Sequence, residues 1–238
     1  MAKCNFETAK KIAIESVKNG HFILSSGSTS DYWININDLT RNIDVFEALK
    51  SITEDVLKNI RADSISKYQD TPNIVIPKFI DAYHNDSFTE CIISLANTEK
   101  NDIIYIKEKK VGTEYKFVHR NSDAIKFSGT PCILVLPVSS YTRSLYEMID
   151  ILKNLFHSKK MYFYTFLFRE IKLLKKLINR NIEVIPVLIS FSKNEIYSIE
   201  DINNPDFSPS QNVKDHINNL KKCEKYFAAH TNPNTQND

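Results

Sequence analysis

Only four glycines occur in 238 residues. Loops that cradle phosphate through backbone amides usually need glycine for close approach, so a glycine-rich phosphate loop is excluded at most positions. Cysteine is also scarce. Cys4, Cys91, Cys132 and Cys223 lie far apart and form no CxxC pair, which argues against a zinc site or a disulfide framework and for reduced thiols. The six histidines are scattered without metal-ligand spacing, and no Ser-His-Asp order can be read. A formal net charge of +2 gives no reason to expect a nucleic-acid partner. The N-terminal stretch is polar, with no apolar signal core, and the aromatic run Met161–Phe168 is too short to cross a bilayer. A cytoplasmic protein without a membrane partner is the expectation.

What is present is ordinary for a globular chain: 42% hydrophobic and 25% charged residues, enough for one large domain. The spacing predicts an amphipathic helix over 7–18, with Gly20 as its stop. Two apolar or aromatic runs, 22–24 and 32–36, flank the turn-like spacer SSGSTSD. A helix is expected over 45–60, with Val45, Leu49, Ile52 and Val56 in one stripe. Strand signals follow at 74–76, 103–106, 133–138 and 183–191, separated by helical patterns at 88–96, 143–156 and 170–179. Met161–Phe168 reads either as a strand or as a buried helical turn. Strands alternating with helices imply an α/β fold with a parallel sheet flanked by helices. Residues 201–211, rich in Asn, Pro and Ser, read as a linker, 212–229 as a C-terminal helix and 230–238 as a disordered tail.

Three segments carry the chemistry. GHFILSSGSTSDYWININ, from Gly20 to Asn37, sets Ser26, Gly27, Tyr32 and Trp33 in a strand-turn-strand pattern. YIKEKK, from Tyr105 to Lys110, follows a strand with clustered cations. ILVLPVSSYTRSLYEMIDIL, from Ile133 to Leu152, joins the most apolar strand to a helix through Ser140, Tyr141, Thr142, Arg143 and Ser144. At that helix start free amides and the helix dipole favour an anion, and Arg143 adds a full charge.

The first two segments resemble the orotate phosphoribosyltransferases. The resemblance implies a phosphoribosyltransferase-type sheet over residues 1–200, with a small N-terminal element capping the carboxyl ends of the strands. It implies a base pocket at Ser26, Gly27, Tyr32 and Trp33. Lys110 would stand as the catalytic loop lysine assisted by Lys107 and Lys109, and Ser140, Thr142, Arg143 and Ser144 would hold the phosphate of phosphoribosyl pyrophosphate. The family ends the third segment's strand with two carboxylates that hold the ribose, directly or through magnesium. Here those positions are Leu136 and Pro137, and the following loop lacks glycine. The base-pocket loop PKFIDAYHND likewise replaces the family's glycines with bulk at Lys78, Phe79 and Tyr83. Between 157 and 182 the chain is longer than the family pattern, which suggests an inserted strand-helix unit or a slipped alignment.

Three readings follow. The chain is a divergent, catalytically impaired relative binding a phosphorylated ribose, nucleotide or similar small phosphorylated ligand; or an active orotate phosphoribosyltransferase of pyrimidine nucleotide synthesis with a remodelled site; or a non-catalytic scaffold. No cofactor is expected, and magnesium only if the enzyme is active. The family habit and the apolar segment Met161–Phe168 together suggest a homodimer.

Overall fold

The computed structural model describes residues 2–23, 29–34, 43–78, 87–98, 101–111, 114–139, 143–169 and 171–221. Helix α1 (Ala2–Glu15) leads into a two-stranded antiparallel hairpin, β1 (Val17–Ile23) and β2 (Thr29–Ile34). The expected stop at Gly20 is not where the helix ends. Val17 and Gly20 both belong to β1, and the Phe22 ring lies so close to Gly20 that a Cβ there would meet it at 3.1 Å. Helix α2 (Ile43–Tyr68) runs two turns beyond the stripe read from sequence, because Ile60 and Ser64 continue its buried face.

The central unit follows: β3 (Asn73–Lys78), α3 (Ser87–Thr98), β4 (Ile103–Val111), β5 (Glu114–Val118), α4 (Asn121–Lys126), β6 (Cys132–Ser139), α5 (Arg143–Asn154), β7 (Met161–Phe168), α6 (Ile171–Asn179), β8 (Ile182–Ser192), β9 (Glu195–Ser198), α7 (Ile199–Asn203) and α8 (Gln211–Lys221). The seven-stranded sheet has the order β5-β4-β3-β6-β7-β8-β9. Its five inner strands are parallel, and both edge strands are antiparallel. Sequence reading anticipated the parallel body but neither edge strand, since β5 and β9 are short and half polar.

The sheet is covered on both faces, as parallel strands require. One core joins α1, α2 and α3 to Ile74, Ile76, Ile133, Val135, Tyr162 and Tyr164. The other joins α5, α6 and α8 to Val75, Leu134, Phe163 and Val184. The segment left open at 157–182 holds β7 and α6, and β7 lies inside the sheet between β6 and β8. Every residue of β7 is buried within the one chain, so its apolarity needs no second subunit. Its two tyrosine hydroxyls are satisfied by α2: Tyr162 donates to Asp63 Oδ2 at 2.7 Å, and Tyr164 pairs with Thr53 Oγ1 at 2.9 Å. Burial raises both phenol pKa values.

The segment read as a linker begins inside α7. That helix is held by a capping box between Ser198 and Asp201, and Lys10 of α1 reaches the same carboxylate at 3.0 Å. The C-terminal helix is described from Gln211 to Lys221, and the expected tail lies outside the described residues. No described helix is long and apolar enough to cross a membrane.

Candidate functional site

In an open parallel sheet ligands bind beyond the carboxyl ends of the strands, where the winding direction reverses. That point lies between β3 and β6: from β3 the chain moves outward to β4, and from β6 it moves the other way to β7. The two strands separate there. Their pairing ends at Val75 and Leu134, while β3 stays paired with β4 to Lys78 and β6 with β7 to Ser139.

Just beyond that separation, on β6, stand Leu136 and Pro137. Leu136 is 6% exposed and packs into the apolar core on the α5 side. Pro137 is half-buried and has no N–H for a ladder; it lies beyond the last residue of β6 paired with β3, where a missing donor costs least. Neither side chain offers an oxygen to a sugar hydroxyl or a cation, so these two positions do not fit magnesium. Among the described residues, no group of three or more His, Cys, Asp and Glu side chains is placed to hold a metal ion. Arg143 and Ser144 open α5, as expected, but their side chains and residues 140–142 lie outside the described residues. So do Ser26 and Gly27. Among the described residues the left-handed glycine is Gly129, at the amino end of β6, the opposite end from Leu136 and Pro137.

The N-terminal hairpin sits over the carboxyl ends of β7 and β8. Tyr32 is buried, and its hydroxyl pairs with the buried Ser190 Oγ of β8 at 2.8 Å. Arg169, the first residue after β7, stacks 4.3 Å from the Tyr32 ring centre. One of its nitrogens donates to Ser30 Oγ at 2.9 Å and to the Tyr32 carbonyl at 3.2 Å. Among the described residues no carboxylate pairs with Arg169, and the groups that face its charge there are dipoles and a ring face. Trp33 points the other way because neighbouring strand residues alternate in face. It is 41% exposed, with the Phe22 ring 6.2 Å away and Lys18 over it. Of the proposed base-pocket residues, the structure therefore places Tyr32 at the polar cluster and Trp33 on the outer face.

Arg169 and Ser190 were missed by sequence reading. The signal was a cation directly after an eight-residue apolar run. It had meaning only once that run was known to be a central strand, since the residue after such a strand lies at the ligand end.

The lysines are also rearranged. Lys107 to Lys110 do not open a loop; they form the outer half of β4, paired with β5 from Lys107↔Val118 to Lys110↔Tyr115. Period-2 alternation puts Lys107 and Lys109 on one face, and Glu108 and Lys110 on the other. Lys110 is thus separated by the sheet from the two lysines expected to assist it. Lys78 at the end of β3 pairs with Lys107, and its ammonium lies 4.1 Å from the centre of the Tyr105 ring.

Two buried thiols lie in the cores. Burial pushes Cys91 up to about 11 and Cys132 up to about 12, so neither is poised as a nucleophile at neutral pH.

No protein-family model matches the sequence, and no curated protein matches it. Among solved structures the chain is similar to the orotate phosphoribosyltransferase of Aeropyrum pernix, at 16% identity over 78% of this chain and 93% of that one, with a TM-score of 0.48. It is similar to the orotate phosphoribosyltransferase of Mycobacterium tuberculosis H37Rv in complex with inorganic phosphate, at 13% identity over 78% and 95% of the two chains, with a TM-score of 0.45. It is similar to that of Francisella tularensis, at 19% identity over 91% and 93%, with a TM-score of 0.44.

Proposed function

We propose that this chain is a divergent orotate phosphoribosyltransferase-like protein that binds a phosphorylated ribose, nucleotide or similar anion and has lost phosphoribosyl transfer. The observation that carries the loss is the end of β6, where Leu136 and Pro137 stand at the reversal point of the sheet, in the positions to which the resemblance assigns the ribose-holding carboxylates. Transfer needs charge stabilised as it develops on sugar and pyrophosphate, and two apolar residues supply none. Binding is supported by the end of the β3–β6 pairing at the reversal point, by the helix start at Arg143, and by the Arg169 guanidinium under the hairpin.

Turnover, ligand binding and assembly state test the reading. Orotate turnover with phosphoribosyl pyrophosphate and magnesium is expected to be absent or very weak; a rate near one per second, roughly the low end for enzymes, refutes the loss of transfer. A thermal-shift series with phosphoribosyl pyrophosphate, orotate and nucleotides is expected to raise the melting temperature with at least one of them. Arg143→Ala is expected to lower that affinity about tenfold, about 1.4 kcal/mol, without lowering the melting temperature of the free protein. No stabilisation by any of them at millimolar concentration leaves the scaffold reading. In the proposed reading the protein is a homodimer, and light scattering at micromolar concentration that returns a monomer refutes that part.

A further inference from the structure

From Ile103 to Val118 the chain carries four lysines and two glutamates, which is its whole formal excess of +2; the remaining 27 basic and 27 acidic residues cancel. This excess is also ordered in space. Lys107 and Lys109 share one face of β4, and Lys116 lies directly opposite Lys109 on β5. Lys78, paired with Lys107, extends the row to β3. Lys78, Lys107, Lys109 and Lys116 are all exposed. Neighbouring strands are about 4.8 Å apart, and residues two apart along a strand are about 6.8 Å apart. Four ammonium groups therefore line three adjacent strands on one side of the sheet. Like charges directly opposite each other destabilise a strand pair. Among the described residues no ion pair involves Lys78, Lys107 or Lys109. On the reverse face Lys110 adds a fifth cation beside Glu108.

We propose that this basic ribbon, β4–β5 with the end of β3, binds the phosphate backbone of single-stranded nucleic acid. The inference is independent of the phosphorylated ligand proposed above. The ribbon is open and extended, where a pyrophosphate would need a closed cluster. A row of cations a few ångströms apart matches phosphates spaced along a strand, and such binding needs no base pocket. The small net charge of the whole chain is no obstacle, because the field that acts on a backbone is local.

The test is fluorescence anisotropy of a labelled uridine 12-mer with the full chain at 50–200 mM salt. The expected dissociation constant is roughly 10⁻⁶ to 10⁻⁴ M, and the expected slope of log K against log salt is about −2 to −3 for three to four contacts. Lys109→Glu with Lys116→Glu is expected to weaken binding at least tenfold. Lys175→Glu with Lys153→Glu, the same charge change on α6 and α5, is expected to leave it within twofold. Lys109→Gln, milder for the fold, is expected to reduce the slope by about 0.7. The proposal is overturned if the 12-mer does not bind at 50 mM salt. It is also overturned if the two double variants weaken binding equally, or if equimolar pyrophosphate displaces the 12-mer completely.

Discussion

β7 and β4 run parallel in one sheet and are nearly equal in length, yet they differ in almost every physical respect. All eight residues of β7 are buried, and its two tyrosine hydroxyls are tied to α2. β4 starts in the same way, with Ile104 and Ile106 buried, but from Lys107 onward it is largely exposed, and beyond Lys107 its pairing is with the edge strand β5. The sheet thus has a packed side, locked to the hairpin through Arg169 and Ser190, and a wet side that carries the charge. In the packed half a residue matters through volume and hydrogen bonding, and in the wet half through charge.

The difference is testable as stability, and the largest effect is expected in β7. Phe166 is fully buried and packs against Phe88, so Phe166→Ala should cost about 3–5 kcal/mol in urea unfolding. A loss below about 1 kcal/mol would mean that β7 is not the packed centre. Arg169→Ala should cost about 2 kcal/mol, since it removes two charge-assisted hydrogen bonds and the contact with Tyr32. Arg169→Lys should recover only part of this, because the ammonium lacks the planar fork. Full recovery would show that charge alone holds the hairpin.

A smaller effect is expected at Asp63. Burial pulls its carboxyl pKa up, but hydrogen bonds from Lys67 and Tyr162 outweigh this and leave it below the ordinary 3.8. With the folded pKa below the unfolded one, the stabilisation is present above about pH 4 and is lost as the pH falls through the folded pKa. Wild type should therefore exceed Asp63→Asn in urea midpoint at pH 7, and the gap should narrow as the pH falls through the folded pKa. A gap independent of pH would assign the contact to packing. The smallest effect is expected on the wet side. Lys109→Ala should change stability by no more than about 0.5 kcal/mol. A loss comparable to that of Phe166→Ala would erase the distinction between the two strands.

Much of the scaffold could be read from residue order. β6 stood out as an almost wholly apolar run, as expected of a strand buried on both faces, and the amphipathic stripes of α2 and α5 identified helices covering a sheet. The hairpin was legible from its turn composition. β5 and β9 were not, because short edge strands with one wet face carry little hydrophobic signal. Met161–Phe168 was ambiguous because a fully apolar segment has no period with which to tell a strand from a helix.

The candidate site divides along the same line. The absence of carboxylates at Leu136 and Pro137 is a property of the sequence, and no folding can restore it. Which cations gather is a tertiary matter. Alternation along β4 separates Lys110 from Lys107 and Lys109, and strand order brings Lys78 and Lys116 to the latter pair across gaps of 29 and 7 residues in sequence. The role of Arg169 likewise depends on β7 being central and on the hairpin folding back over it. Composition and local pattern determined what kind of sheet forms. Long-range pairing decided which side chains share a face, because a face is defined only once strands from distant parts of the chain lie side by side.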